Sequence, residues 1–373
     1  MSALLGPTGV VLLVGSLVAA SCALVGSFLV LRKMALMGDA ISHAVLPGIA
    51  IAFLLSGSRS PLPMVLGAGA LGVLTVVLVE LSHRSGRLKK DASIGVVFPA
   101  LFAVGVILIS RYAAQVDLDL DCVLYGEIAY APWDLLLIGD RSLGPKALWV
   151  TGGALVANLL LVGLAYKELK VTTFDPELAA ALGFSPVLMH YLLMSAVSVT
   201  VVTSFESVGA ILVVAMLVVP PATAYLLTDR LSRLLALAVA IGIASAVGGY
   251  WLARWWDASI AGAMATVAGA LFTLALLLSP RHGLLARALT HRRLGGRLAD
   301  QLVLLHLGSA ASAQAPATLR RRFGWSAARL ARVLRRLESA GWVDRSAAGL
   351  ALTPAGAGAL ERTGSRQLAH PPT

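Results

Sequence analysis

Between residues 9 and 279 the sequence carries nine apolar runs long enough to cross a bilayer, and no other feature constrains its fold as strongly. They lie near 9–31, 38–57, 61–82, 94–112, 147–166, 187–204, 208–228, 232–253 and 259–279. A hydrocarbon core about 30 Å thick takes roughly 20 helical residues at about 1.5 Å each. Inside lipid every backbone polar group must be satisfied internally, which favours helices for runs of this length. The expected fold is an all-α polytopic membrane protein of eight or nine transmembrane helices. The lower count applies if the second run is re-entrant or broken at Pro47 and Gly48. Composition agrees, with 58% hydrophobic and 13% charged residues and a mean hydropathy of +0.84, where soluble domains carry about 25% charge. No basic residue precedes the first run and further runs follow directly, so the first is expected to stay as a helix rather than leave as a signal peptide.

Charge is uneven along the chain. Beyond residue 280, fifteen arginines stand against Asp300, Glu338, Asp344 and Glu361, a balance of +11 that equals the net charge of the whole chain. In the membrane part, Arg84, Arg87, Lys89 and Lys90 make one connection basic, whereas 111–146 carries Asp117, Asp119, Asp121, Glu127, Asp134 and Asp140. The positive-inside rule puts the first in the cytoplasm, and alternation puts the second outside. The same alternation leaves 167–186, Asp229 to Arg233 and the Arg-rich C-terminus cytoplasmic. The outer acids would draw divalent cations to an entrance, or are ordinary solvated loop residues. Cys22 and Cys122 are too few for a disulfide framework and read as packing residues. No internal repeat at a fixed period is evident.

An ionisable group inside a span costs roughly 2.5–3.5 kcal/mol on insertion scales, so each one calls for a reason. In RKMALMGDAISHAVLPG, residues 32–48, Asp39 and His43 are four apart and share one helical face. Carboxylate oxygen with imidazole nitrogen suits manganese, iron or zinc. A closed zinc site takes four ligands, usually including thiolates, whereas two protein ligands fit an ion in transit. The alternative is that Asp39 caps a helix and His43 bonds to its Ser or backbone neighbours. Glu206 in SFESVG is a secondary candidate for the same path, with a membrane-interface role as its alternative. His190, beside Tyr191, and Asp257, after Trp255 and Trp256, read as interfacial anchors and a helix cap. Pro220 and Pro221 read as a bend in the seventh run, among small residues that permit close packing.

Two connections carry local signals. In KKDASIGVVF, residues 89–98, Asp91 and Ser93 mark a helix start. In KELKVTTFDPELAAALGFSP, residues 167–186, Thr172, Thr173 or Asp175 can cap a short helix with Pro176 first and Glu177 in its first turn, ending near Gly183. Its apolar contacts, Leu178, Ala179 and Leu182, suit a docking element for a protein partner better than a lipid surface.

These two stretches, with RKMALMGDAISHAVLPG and VGAILVVAMLVVPPATA at 208–224, occur in the order and spacing of the manganese/zinc/iron class of ABC-transporter permeases. The chain resembles that family over residues 1–285. The resemblance implies a permease subunit of an ATP-driven importer, in a bacterial inner membrane, with divalent metal as cargo and no permanently bound cofactor. Manganese is the first choice of cargo, and zinc or iron the alternatives. It implies a homodimer or a pairing with a sister permease, two cytoplasmic ATPase subunits and an external metal-binding protein. Asp39 and His43 match metal-contacting positions. Phe174, Asp175, Pro176, Glu177, Ala179, Leu182 and Gly183 fall in the helix that docks on the ATPase. The chain holds no G-x-x-x-x-G-K-[ST] phosphate loop, so it is not expected to be an enzyme, and hydrolysis is assigned to the separate subunit. The lack of an H-E-x-x-H motif or a fuller ligand set sets aside an intramembrane metalloenzyme.

The apolar runs end near Pro280, which divides the chain into a permease domain 1–285, a linker 286–297 and a cytoplasmic domain 298–373. Helical patterns at Leu298 to Leu307, Ala317 to Phe323 and Ala327 to Ala340 precede a small hairpin and a closing helix. This order, with RVLRRLESAGWVDRSAAGLALTPAG, resembles a winged helix-turn-helix like that of metal-dependent repressors. Ser326 is the expected cap of the third helix. Leu330, Val333, Leu334 and Leu337 form its apolar face and leave Arg329, Arg332, Arg335 and Arg336 available. Those arginines could read DNA, which would make the chain a membrane-tethered, metal-responsive regulator. Membrane lipid, the ATPase or a dimer mate is the preferred contact, and nucleic acid is not an expected partner, because tethering restricts access to chromosomal sites. His306 without a Cys or carboxylate cluster supports no metal site there.

Overall fold

The computed structural model describes residues 2–57, 61–86, 88–112, 128–138, 141–279, 283–310, 313–346 and 349–360. Arg87, Asp117, Asp119, Asp121, Cys122, Glu127 and Asp140 lie outside the described residues, and with them most of the acidic entrance. The chain separates into two compact units, Met1–Gly283 and Leu284–Thr373.

The first unit opens with α1 (Ser2–Leu31), α2 (Leu36–Ser56), α3 (Pro61–Arg84) and α4 (Lys90–Tyr112). A short 3-10 turn, Ile128–Tyr130, and an antiparallel pair, β1 (Leu135–Ile138) with β2 (Arg141–Pro145), lead into α5 (Lys146–Leu164). Two short helices follow, α6 (Tyr166–Phe174) and α7 (Pro176–Ala181). The unit closes with α8 (Pro186–Val208), α9 (Ala210–Leu227), α10 (Leu231–Trp256) and α11 (Ile260–Leu278). Among the described residues nine helices are long and apolar enough to cross a membrane. α2 runs through Pro47 and Gly48 without a break, so the break expected there as one route to eight spans is absent. The pair serves close packing instead. A Cβ on Gly48 would sit 2.6 Å from the Cα of Ala68 in α3, and one on Gly105 of α4 would sit 2.8 Å from the Pro47 ring. Likewise α9 remains helical through the buried Pro220 and Pro221.

α1 forms the centre of this unit. Seventy-two per cent of its apolar window is buried, against 17% for α4. Val14, Val18, Phe28 and Leu29 of α1 pack with Leu212, Val213 and Leu217 of α9 and with Met264 of α11. With no water in a bilayer core to drive helices together, association rests on such packing and on interhelical hydrogen bonds. One such node is Asn158 of α5, whose Nδ2 donates to Ser21 Oγ of α1 at 2.8 Å and Thr200 Oγ1 of α8 at 2.7 Å.

The second unit contains α12 (Leu284–Ser309), α13 (Pro316–Phe323), α14 (Ala327–Ser339), an antiparallel hairpin of β3 (Val343–Ser346) and β4 (Gly349–Leu352), and helical residues 354–360. Gln314 adds a bridge to Leu350. Ser326 Oγ caps α14 by accepting the Arg329 N–H at 3.3 Å. Leu330, Val333, Leu334 and Leu337 are buried against Val303, Leu307, Leu319, Val343 and Leu350. Residues 286–297, read from sequence as a linker, are helical and belong to α12. The two glycines there cost only about 1 kcal/mol each in a helix.

Candidate functional site

The first turns of α2 carry Asp39 and His43. The helix is not capped by Asp39. Its N-cap is Ala35, which makes no side-chain cap bond, and Asp39 stands inside the first turn, where the helix dipole favours a negative charge. The neighbouring Ser42 hydroxyl donates to Gly38 O at 2.9 Å and so is not spent on His43. His43 Nε2 lies 3.6 Å from Asp39 Oδ1, too long for a hydrogen bond but close enough for both to face one ion, and their side chains are 33% and 41% exposed. A second helix fixes the imidazole. Phe98 of α4 stacks on it with centroids 5.4 Å apart, and Phe102, one turn on, meets it edge-on at 5.7 Å.

Two donors on an open face make an incomplete coordination sphere. Among the described residues no group of three His, Cys, Asp or Glu side chains could hold a metal ion. An ion met here keeps water or takes ligands from elsewhere, as an ion in transit does. Glu206 does not join the pair. It ends α8 in an ion pair with Lys146 of α5, Nζ to Oε1 2.5 Å, and is 51% exposed in a cleft with Tyr130 and Asp134. His190 stacks edge-on against Tyr191. Asp257 closes α10 in a left-handed conformation, and the cap of α11 is Ser259, which accepts the Gly262 N–H.

The polar break between α5 and α8 folds as the sequence suggested in one respect and not in another. Asp175 Oδ1 accepts the Leu178 N–H at 2.9 Å, Pro176 takes the first helical position, and Gly183 follows with φ +85°, a conformation that side chains with a Cβ resist. Phe174, Leu178 and Leu182 are exposed, whereas Ala179 is fully buried. Ala179 therefore belongs to the base of this helix and not to its free face. Arg32, between α1 and α2, reaches this segment through Nε to Thr173 Oγ1 and Nη2 to Thr172 Oγ1, both 3.1 Å. Burial pushes the Arg32 pKa below its usual value. In the second unit, Arg336 of α14 is bound to Asp300 at 3.0 Å and Arg329 lies over the Trp325 ring at 5.0 Å. All four of Arg329, Arg332, Arg335 and Arg336 are exposed.

Sequence reasoning missed Phe98, Phe102, Arg32 and Lys146. The i, i+4 spacing of the two phenylalanines, Phe98 closing KKDASIGVVF and Phe102 one turn beyond it, was the available signal for the first two. The partners of Arg32 and Lys146 are 140 and 60 residues distant, beyond any local pattern.

Nine helices among the described residues long and apolar enough to cross a membrane, with a polar pair in one of them and a capped short helix between the fifth and sixth, are the architecture of a polytopic membrane subunit and exceed what an anchor needs. The chain belongs to the ABC 3 transport family, which matches residues 8–279, and is a permease subunit rather than a catalytic one. It is 51% identical over 275 residues to the manganese transport system membrane protein MntD of Bacillus subtilis, covering 74% of this chain and 93% of that one. The zinc transport system membrane protein TroD of Treponema pallidum is 46% identical over 352 residues, covering 93% of this chain and 96% of the relative. Among solved structures, PsaBC from Streptococcus pneumoniae in complex with Fab aligns with a TM-score of 0.61 at 33% identity, over 73% of this chain and 92% of that one.

Proposed function

We propose that this chain moves divalent metal inward through a bacterial inner membrane as the transmembrane subunit of an ATP-driven importer. Asp39 and His43 meet the ion in transit. The observation that carries this reading is the donor pair itself, one oxygen and one nitrogen on a half-open face, with two phenylalanines of α4 against the imidazole. Manganese is the first cargo, with zinc and iron accepted by the same donors. Support comes from relatives named for manganese and for zinc transport. The partners are a second permease, identical or a sister, an external metal-binding protein and a cytoplasmic ATPase that docks on the exposed Phe174, Leu178 and Leu182 around Glu177. The helices and hairpin of the second unit form a winged-helix-like cytoplasmic domain, and its Arg329, Arg332 and Arg335 contact anionic lipid or the ATPase rather than nucleic acid.

The test is metal uptake into vesicles holding this chain, its ATPase and its binding protein, with manganese, zinc and iron compared. ATP-dependent uptake that Asp39→Ala or His43→Ala abolishes, with assembly intact, is the expected result. Unchanged uptake in both variants rules out the pair as the site. Uptake of none of the three metals by the assembled wild type favours the tethered-regulator reading instead.

A further inference from the structure

The α1–α2 turn is stiff. Lys33 adopts φ +57°, Met34 N–H bonds back to Leu29 O at 2.9 Å and Lys33 N–H to Val30 O at 3.0 Å, closing α1 with an interlocked pair of hydrogen bonds. Two more short-range bonds, Met37 N–H to Met34 O and Gly38 N–H to Ala35 O, carry the chain directly into the turn that holds Asp39. Any displacement of this turn therefore moves the start of α2 with it.

Arg32 sits in that turn and points the other way, into the last turn of α6. The Thr172 hydroxyl donates its proton to Glu168 O at 2.7 Å, which leaves its lone pairs for the guanidinium. Thr173 takes the second N–H. The next residues are Phe174, the exposed start of the docking segment, and Asp175, the cap of α7. The same guanidinium borders an open cavity of about 340 Å³, shared with Pro176 and with Glu80 and Arg84 of α3, which pair with each other at 3.1 Å. A half-buried cation bonded to two hydroxyls is a directional link, since the planar fork fixes both bonds at once where a lysine would fix one.

We propose that Arg32 is a positioning residue that transmits movement of the α6–α7 segment to the donor pair of α2. It touches neither metal nor ATPase. The proposal rests on the importer reading, in which α7 docks the ATPase and Asp39 with His43 meets the ion. A change in the tilt of α6 pulls the guanidinium, the stiff turn passes the pull to α2, and the geometry of Asp39 against His43 changes without any new contact at the ion.

The experiment uses the complete transporter in vesicles and reads manganese uptake and ATP hydrolysis together, with equilibrium manganese binding and co-purification of the ATPase as controls. For Arg32→Ala the manganese moved per ATP falls roughly tenfold, within the range of ordinary coupling free energies, while manganese binding and ATPase association stay at wild-type levels. Thr172→Val with Thr173→Val keeps the arginine and removes its acceptors, together with the local Thr172–Glu168 bond of α6, so it gives the same fall even if Arg32→Ala does not fold. Arg32→Lys recovers part of the ratio. In the double threonine variant an unchanged ratio overturns the proposal, as does a joint loss of uptake, hydrolysis and assembly, which marks a merely structural contact. Wild-type vesicles that move no metal remove the importer reading itself, an outcome separate from any variant's behaviour.

Discussion

The imidazole of His43 lies against the phenyl ring of Phe98, with planes 22° from parallel, so a residue on α4 limits how the ring on α2 can turn relative to Asp39. Aromatic contacts of this kind contribute about 0.5–1.5 kcal/mol beyond simple burial. Phe98→Leu, which keeps the apolar contact but loses the ring face, is expected to raise the manganese concentration at half-maximal uptake by roughly 3- to 10-fold with little change in maximal rate. Uptake measured against manganese concentration checks this. An unaltered half-saturation point would mean that the ring does not hold the imidazole.

Glu206 is ion-paired with Lys146 at the end of α8. The pair is partly exposed, and such pairs contribute about 0–1 kcal/mol, so Glu206→Gln should leave manganese uptake within about twofold of wild type. A loss comparable to that of His43→Ala, in transport assays run side by side, would return Glu206 to the path.

Asn158 is buried and shares its amide between Ser21 and Thr200, one on each neighbouring helix. Interhelical hydrogen bonds in membranes average about 0.6 kcal/mol, and leaving two hydroxyls with a lost partner adds to that, so Asn158→Leu should destabilise the bundle by about 1–2 kcal/mol. A lower unfolding midpoint in detergent, with metal binding retained in the folded fraction, is the expected observation. An unchanged midpoint would show that the three helices are held by packing alone.

Gly183 follows the short helix α7 with φ +85°. A β-branched residue there costs roughly 1–2 kcal/mol and re-aims Leu182. Gly183→Val should therefore weaken co-purification of the ATPase and lower uptake together, whereas Glu177→Ala should lower the uptake obtained per ATP. Normal ATPase association in the glycine variant would count against this segment as the docking element.

The sequence by itself determined the membrane class, the positions of the spans, and the pairing of Asp39 with His43. Each rests on local quantities: run length against bilayer thickness, and a four-residue spacing against 3.6 residues per turn. The Asp175 cap, the Pro176 start and the buried stripe of α14 were legible for the same reason, because capping and amphipathic periodicity are written within one or two turns. Only the tertiary structure decided that Pro47 and Gly48 pack closely against α4 and α3 instead of breaking a helix, that Ala179 faces inward, and that Glu206 belongs to Lys146. The rings that hold His43 and the threonines that hold Arg32 come from other helices. In an apolar chain nearly every helical face reads alike, since lipid and a neighbouring helix are equally apolar surroundings. Which face meets which neighbour is fixed by packing between distant segments, and that packing decides what surrounds the donor pair.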